Sequence, residues 1–286
     1  MKKIFIFLLL LTLALAHENP KKVEKQIPLQ NEEFVEVSIE FGAGHLDIAP
    51  TKEPVIYSGT FIYDELEPQI KYSQLGSEGR LDFELGERVE KGEDQTKVTL
   101  HSLDDIHKNE WNLNFSQLLT YDFDIEMGAA ESEFNLGGLK IRNLRLECGA
   151  SKTLIDFSKP NPIVMDKLKI ETGVSKFGAE NLLNANFKEM RFEGGIGDYQ
   201  LTFDGELEEN TDVFIDVSLG ALTIHIPSDV PFRIDCDKSI LSSLNVEGAY
   251  QKNERWYSVN FDGKDPFIDF TISSGVGSIS ILLSEQ

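Results

Sequence analysis

The stretch Phe34-Val-Glu-Val-Ser-Ile-Glu-Phe-Gly-Ala-Gly-His-Leu-Asp-Ile48 contains the pattern on which the fold depends. Apolar residues alternate with polar ones as far as Phe41, which is typical of a β-strand with one buried face. The Gly42-Ala43-Gly44 turn follows, and a second short strand runs from Leu46 to Ile48. The stretch therefore predicts a unit made of a strand, a glycine turn and a second strand.

The same unit recurs through the rest of the chain. Successive turn glycines from Gly128 to Gly220 lie roughly 21 to 25 residues apart, a spacing typical of a solenoid. Glycine suits such corners because φ is often positive there and a Cβ would crowd the neighbouring coil. We therefore expect an all-β, two-faced β-solenoid resembling a single-stranded β-helix, with coils of roughly 22 residues that bury apolar surface against each other. The recurring turn glycines are Gly128, Gly149, Gly173, Gly194 and Gly195, Gly220, Gly275 and Gly277.

Four segments divide the chain. Residues 1–16 carry two lysines, an apolar run and the ending Ala14-Leu15-Ala16, which predicts a secretory signal peptide cleaved after Ala16. Residues 17–32 are polar and show neither period, so we expect a flexible lead-in. Residues 33–120 are predicted to be an N-terminal β-rich segment, and residues 121–286 a β-solenoid with a C-terminal cap.

The composition limits the partners and the location. The formal net charge is −22, and such an acidic surface repels nucleic acid and anionic lipid. We interpret the acidity as a solvated surface that keeps a large β protein soluble. No stretch after residue 16 is long and apolar enough to span a membrane, so the mature chain is expected in the periplasm or outside the cell.

Cys148 and Cys236 are the two cysteines of the chain. Each lies on the apolar face of a predicted strand, and coils of roughly 22 residues would separate them by about four rungs, or roughly 19 Å. That separation is too large for a disulfide. We expect two buried thiols.

The chemistry-bearing residues form no recognisable catalytic or metal motif. The five histidines are scattered, and no Gly-x-Ser-x-Gly, paired Cys-x-x-Cys or phosphate loop followed by a helix is present. We therefore predict no catalytic residue, no cofactor and no metal. Acidic residues that point outward on successive rungs leave one enzymatic alternative, because some parallel β-helices degrade polysaccharides with such pairs.

Aromatic residues near the C-terminus form the candidate ligand site. Tyr250, Trp256 and Tyr257, with Phe261 nearby, are flat rings with polar edges that can stack on sugars or anchor a protein interface. The alternative is a terminal hairpin that caps the open end of the solenoid. The sequence leaves both interpretations open.

Four stretches resemble the toast-rack domain proteins, a superfamily that also contains adhesin-like proteins and the C-terminal domain of cell-wall-active antibiotic response proteins. The resemblance covers most of the chain after residue 16 and implies a β-solenoid envelope module without a catalytic motif. It supplies no functional residues. The four stretches are Phe41-Gly-Ala-Gly-His-Leu-Asp-Ile48, Asn109-Glu-Trp-Asn-Leu-Asn-Phe115, Gly137-Gly-Leu-Lys-Ile-Arg-Asn-Leu-Arg-Leu-Glu-Cys-Gly-Ala150 and Gly275-Val-Gly-Ser-Ile-Ser-Ile281.

Three functions remain open from the sequence. The first is a structural, adhesive or recognition module of the cell envelope whose partner is an envelope protein or a glycan. The second is a periplasmic regulator of envelope stress that binds a membrane sensor. The third is a polysaccharide-active enzyme.

Overall fold

The computed structural model describes residues 20–64, 66–85, 109–238, 240–263 and 266–284, so the predicted signal peptide lies outside the described residues. Within these ranges, sixteen strands form one continuous sheet, and a short 3₁₀ helix spans Leu182–Ala185. The strands are β1 (Lys21–Pro28), β2 (Phe34–Thr51), β3 (Val55–Tyr63), β4 (Gln69–Leu75), β5 (Glu78–Glu84), β6 (Glu110–Ser116), β7 (Thr120–Asn135), β8 (Lys140–Asp156), β9 (Met165–Glu180), β10 (Phe187–Thr202), β11 (Thr211–Pro227), β12 (Phe232–Lys238), β13 (Ser242–Val246), β14 (Ala249–Lys252), β15 (Arg255–Ser258) and β16 (Ile268–Ser284).

The long strands stack in parallel as the rungs of a solenoid, in the order β2, β7, β8, β9, β10, β11, β16. Equivalent residues lie opposite each other on neighbouring rungs, and inward side chains form continuous buried columns. This arrangement confirms the predicted all-β, two-faced solenoid. One such column, with relative exposure between 0 and 2%, contains Ile39, Ile125, Leu146, Ile170, Phe192, Ile215 and Ile272.

Each rung is one long strand that bends near its middle, where the sequence predicts two short strands and a turn. Neighbouring backbones approach closely at this corner, because a Cβ on Gly128 would lie 2.3 Å from the carbonyl oxygen of Gly42. Gly220 lies in a second column two residues further on, with φ of 143°, and its Cβ would lie 1.9 Å from the carbonyl oxygen of Gly197. The predicted reason for the corner glycines is thereby confirmed.

The N-terminal end of the solenoid is a rung split into two strands. Both β5 and β6 pair in parallel with β2. β4 covers β5, β3 covers β6, and β1 covers β3, all in antiparallel pairing. The solenoid therefore begins with β2 at Phe34, earlier than the predicted start at residue 121.

Strand β1 differs from the flexible lead-in that the sequence predicts for residues 17–32. Its outer side chains are polar, but Val23 and Ile27 pack half-buried against the core. Eight residues of β1 pair with β3. The strand depends on this tertiary contact, since a short polar segment with two apolar residues has little tendency to form a strand alone.

The C-terminal end departs from the order of the chain. β16, which comes last in the sequence, pairs with β11, and β12 and β13 pair with the outer edge of β16. β15 and β14 extend the sheet beyond β12. The segment between β11 and β16 is therefore folded over the last rung and forms the end of the solenoid.

Neither cysteine forms a disulfide. Cys148 is buried, whereas Cys236 is only partly buried, so the expectation of two buried thiols is correct for the first alone. Because β16 lies between β11 and β12, five strand intervals separate β8 from β12, or about 24 Å at the usual spacing. Burial raises the pKa of the Cys148 thiol to about 11.

Candidate recognition surface

The predicted aromatic residues lie on a hairpin at the C-terminal end. β14 and β15 join through Asn253 and Glu254, which both have positive φ and form the tight turn. Tyr250 lies opposite Tyr257, and Trp256 lies opposite Gln251. Because side chains alternate along a strand, the two tyrosines share one face and Trp256 belongs to the other.

The two faces of this hairpin have different surroundings. Trp256 lies beside the fully buried Ile234 and packs half-buried against the core. Tyr257 lies beside Arg233, an outward residue of β12. The structure therefore brings Tyr250 and Tyr257 together and separates Trp256 from them. The inner face of the hairpin packs against the end of the solenoid, and the outer face carries the candidate ligand site.

Four rings form a continuous outward row, here called the aromatic row: Tyr250, Tyr257, Phe261 and Phe267. Tyr250 stacks on Tyr257 with ring centroids 5.8 Å apart and planes 24° apart. Tyr257 lies 5.1 Å from Phe261, which lies 5.2 Å from Phe267. Tyr250 is 45% exposed, and the other three are half-buried. The sequence did not indicate Phe267, because it comes from the segment before β16 and joins the row only in the folded chain.

Charged groups border the aromatic row. The guanidinium of Arg233 lies 5.4 Å from the centre of the Phe267 ring and donates hydrogen bonds to Asp269. These hydrogen bonds raise the pKa of Arg233, so the group stays charged. Arg255 of β15 donates a hydrogen bond to Asp235 of β12 at 3.1 Å. Flat rings beside fixed donors and acceptors form a surface suited to stacking on a sugar and hydrogen bonding to its hydroxyls.

A second surface is a column of carboxylates on the face that precedes the corner. Its members lie opposite each other on six successive rungs and line an open groove of about 1140 Å³. We call it the acidic column: Glu40, Glu126, Glu147, Glu171, Glu193 and Asp216.

Basic residues neutralise the middle of the acidic column. Arg145 donates to Glu126 at 3.0 Å and also to Glu147, and the ammonium of Lys169 lies 2.7 Å from Glu171. The hydrogen bond with Glu171 raises the pKa of Glu147, while Lys169 holds the pKa of Glu171 below its usual range.

The described histidines do not form a metal site. The Nδ1 atom of His45 lies 3.9 Å from a carboxylate oxygen of Glu131, and His225 is a half-buried outward residue of β11. His101 and His107 lie outside the described residues. Among the residues that the structure describes, no group of three or more His, Cys, Asp or Glu side chains is arranged to hold a metal ion. No helix in the described ranges is long and apolar enough to cross a membrane.

Comparison with solved structures finds one with a shared fold. A "putative cell adhesion protein" from Clostridium sporogenes ATCC 15579 is 21% identical and superposes with a TM-score of 0.51 over 93% of this chain and 100% of its own. A "putative adhesin" from Bacteroides fragilis NCTC 9343 is 10% identical, with a TM-score of 0.38 over 92% of this chain and 97% of its own. The first similarity shows a shared fold. No curated protein sequence matches the chain.

The sequence itself matches a protein family. The family model described as the N-terminal domain of toast_rack, DUF2154, matches residues 16–177. The match covers more than half of the chain and includes the rungs from β2 to β8 and nearly all of β9. This protein therefore belongs to the toast-rack family.

Proposed function

We propose that this protein is an exported, non-catalytic recognition module of the cell envelope that binds glycan through its aromatic row. The observation that carries the proposal is the exposed stack of Tyr250 on Tyr257, continued by Phe261 and bordered by the Arg233–Asp269 pair. Exposed aromatic rings of this kind are costly to leave in water and are typical of binding surfaces.

The architecture supports an adhesive role. Seven in-register rungs form a long scaffold whose core is continuous, so a contact at one end is presented on a well-packed support. The predicted signal peptide supports export. The solved structure from Clostridium sporogenes that shares the fold is described as a putative cell adhesion protein, which agrees with the proposal.

A catalytic role is less well supported by the carboxylates. Glycoside hydrolysis uses two acids with separate roles on either side of a bound sugar. In the acidic column, Glu126 and Glu147 pair with Arg145, and Glu171 pairs with Lys169. These acids therefore have structural partners that hold them along an open face.

The test is a glycan array probed with the purified full chain and with a variant that carries Tyr250→Ala and Tyr257→Ala. We expect the variant to lose at least about tenfold in affinity for a glycan that the unchanged protein binds, because the stacking surface is removed. Phe214→Ala is the matched control, since this half-buried outward ring also lies against an arginine, with Arg191 4.4 Å from its centre.

Other outcomes would place the binding site elsewhere or favour a different function. Glycan binding that survives the double variant would place the site elsewhere. A pull-down from solubilised envelope fractions that captures a membrane protein, combined with no glycan signal, would favour the regulator. Loss of binding in Phe214→Ala as well would point to a general effect on the sheet.

A further inference from the structure

The corner of the solenoid carries a second row of outward side chains. Between the two columns of corner residues, most of which are glycine, each rung has a single residue. These residues lie opposite each other on neighbouring rungs, and their side chains become larger toward the C-terminal end of the solenoid. At the N-terminal end this residue is alanine on three rungs. The four later members, here called the corner ridge, are Val174 (59% exposed), Ile196 (51%), Leu219 (46%) and Val276 (41%).

The fold does not require these large side chains. The same corner position is Ala129 on β7 and Ala150 on β8, where the backbone bends in the same way. The chain neighbours of the ridge residues are glycines or, at Ser175 and Ser218, serines, which are too small to shield the ridge from water. Four large aliphatic residues on four adjacent strands therefore form a contiguous exposed apolar strip, which is typical of an interaction surface.

Uncompensated charge coincides with the corner ridge. Glu193 and Asp216 each lie three residues before a ridge residue, on β10 and β11, and both are exposed. Across the described ranges neither carboxylate has an ion pair or a side-chain hydrogen bond, in contrast to Glu147 and Glu171 on the preceding rungs. The apolar strip therefore has a negatively charged border on one side.

This border decides between the possible occupants. A second copy of the chain would bring an identical acidic border close to this one, and an anionic membrane would also be repelled. A partner with aliphatic residues flanked by Lys or Arg complements both features.

The spacing between the ridge residues favours a helix as the docking element, because one helical turn rises about 5.4 Å and the rungs repeat about every 4.8 Å. Alternate residues of a strand are about 6.8 Å apart and would not match the ridge.

We propose that the corner ridge is the docking surface for a cationic amphipathic helix of a partner protein. Its aliphatic residues, spaced three and four apart, lie along Val174, Ile196, Leu219 and Val276, and its basic residues on one side contact Glu193 and Asp216. This surface is distinct from the aromatic row, so the two contacts can be tested separately.

The test uses a synthetic 18-residue helix of Leu and Lys with leucine on one face, labelled for fluorescence anisotropy, and the full chain. Ile196→Thr with Leu219→Thr should weaken binding by about tenfold or more, because the centre of the ridge loses its apolar surface. Glu193→Gln with Asp216→Asn should weaken it several-fold and reduce its dependence on salt.

Matched controls lie on the other face of the solenoid. Leu154→Thr removes a strand residue of similar exposure (37%), and Glu180→Gln removes an exposed carboxylate. Both should bind the peptide as the unchanged protein does. Thermal unfolding of every variant checks that the sheet is intact.

Five results would overturn the proposal. The ridge variant could bind as tightly as the unchanged protein, or a peptide with glutamate in place of lysine could bind equally well. Stronger binding to phosphatidylglycerol vesicles than to the peptide would identify a membrane surface. A dimer in analytical ultracentrifugation that the ridge variant abolishes would identify a second copy as the occupant. Absence of peptide binding above the glutamate control counts against the proposal in the same way.

Discussion

The two ends of the solenoid are built alike and closed differently. Each end is a rung split in two, with β5 and β6 beside β2 at one end and β12 and β13 beside β16 at the other. At the N-terminal end, antiparallel strands cover both halves. At the C-terminal end, β15 covers β12, whereas no described strand pairs with the outer side of β13.

The aromatic residues at the two ends differ in burial. Phe61, Phe83 and Trp111 at the N-terminal end have relative exposures of 0%, and Phe61 stacks on Phe83 and contacts Trp111 edge to face. At the C-terminal end the tyrosines of the aromatic row point outward. Aromatic rings at the N-terminal end therefore pack inside the core, whereas those of the aromatic row lie on the outer face of the sheet, because each ring follows the face of the strand that carries it.

The largest expected effect is at Trp111. Trp111→Ala should lower the free energy of unfolding by about 3–5 kcal/mol, because it leaves a large cavity among Phe41 and Phe61. Trp256→Ala, at a half-buried site, should cost less than half of that. Guanidinium chloride denaturation measures both. Equal losses would mean that the two ends are equally important for stability.

Trp111→Phe provides the control for this comparison. It keeps an aromatic ring in the cluster and removes the indole N–H, which is buried without a hydrogen-bond partner among the described residues. The loss of stability should be clearly smaller than for Trp111→Ala, since leaving a buried donor unpaired is itself unfavourable by about 1–3 kcal/mol. A loss as large as that of the alanine variant would contradict this interpretation.

The next largest loss of stability is expected when a glycine at either end is replaced by alanine. A Cβ on Gly44 would lie 2.1 Å from the carbonyl oxygen of Asn109, which accepts the backbone N–H of His45. Gly263 at the C-terminal end also has positive φ, but its Cβ would meet nothing within 4 Å. Gly44→Ala should cost about 2–4 kcal/mol and Gly263→Ala about 1 kcal/mol, because the first adds a backbone clash to the strain. Similar unfolding midpoints for the two variants would refute the comparison.

Low pH should reduce the stability of the N-terminal end. Burial of Glu32 opposes its ionisation, but hydrogen bonds from the Tyr72 hydroxyl at 2.6 Å and from backbone N–H groups lower its pKa below the ordinary value of 4.5. A lowered pKa stabilises the folded state fully above pH 4.5, and this contribution is lost as pH falls through the folded value.

Removing the phenol hydroxyl isolates this effect. Tyr72→Phe should cost about 1.5 kcal/mol near neutral pH and progressively less in acid, since the hydrogen bond to a charged acceptor is lost. Asp235→Asn removes the partly exposed Arg255–Asp235 pair at the C-terminal end and should cost at most about 0.5 kcal/mol. Urea denaturation of both variants and the unchanged protein, measured at several pH values from 7 to 3.5, gives these free-energy differences. A Tyr72→Phe cost that does not change with pH would rule out Glu32 as the titrating group.

The smallest effect on stability is expected at Tyr250. Tyr250→Ser should change the free energy of unfolding by no more than about 0.5 kcal/mol, because the ring is largely exposed and covers little of the core. Thermal unfolding measures the change. A loss above about 1 kcal/mol would show that the aromatic row stabilises the C-terminal end as the rings of the other end do.

The sequence indicated some of the rings that lie together in the aromatic row. Tyr250 and Tyr257 lie directly opposite each other once the hairpin is paired, but the sequence alone does not show the register that brings them together. Trp256 was grouped with them, although alternation along β15 places it on the opposite face. Phe267 was missed because no local pattern links it to residues 250–261.

The sequence by itself determined the repeat. Alternation of apolar and polar residues fixes which face of a strand is buried, and glycine is frequent at the corners where two backbones come within contact of each other, so both features appear directly in the residue types. Only the tertiary structure decided the pairing of the ends: that β1 joins β3, and that β16 lies between β11 and β12. The physical reason is that parallel rungs with similar apolar columns are nearly interchangeable partners, so their order depends on how the intervening segments pack and not on any local preference.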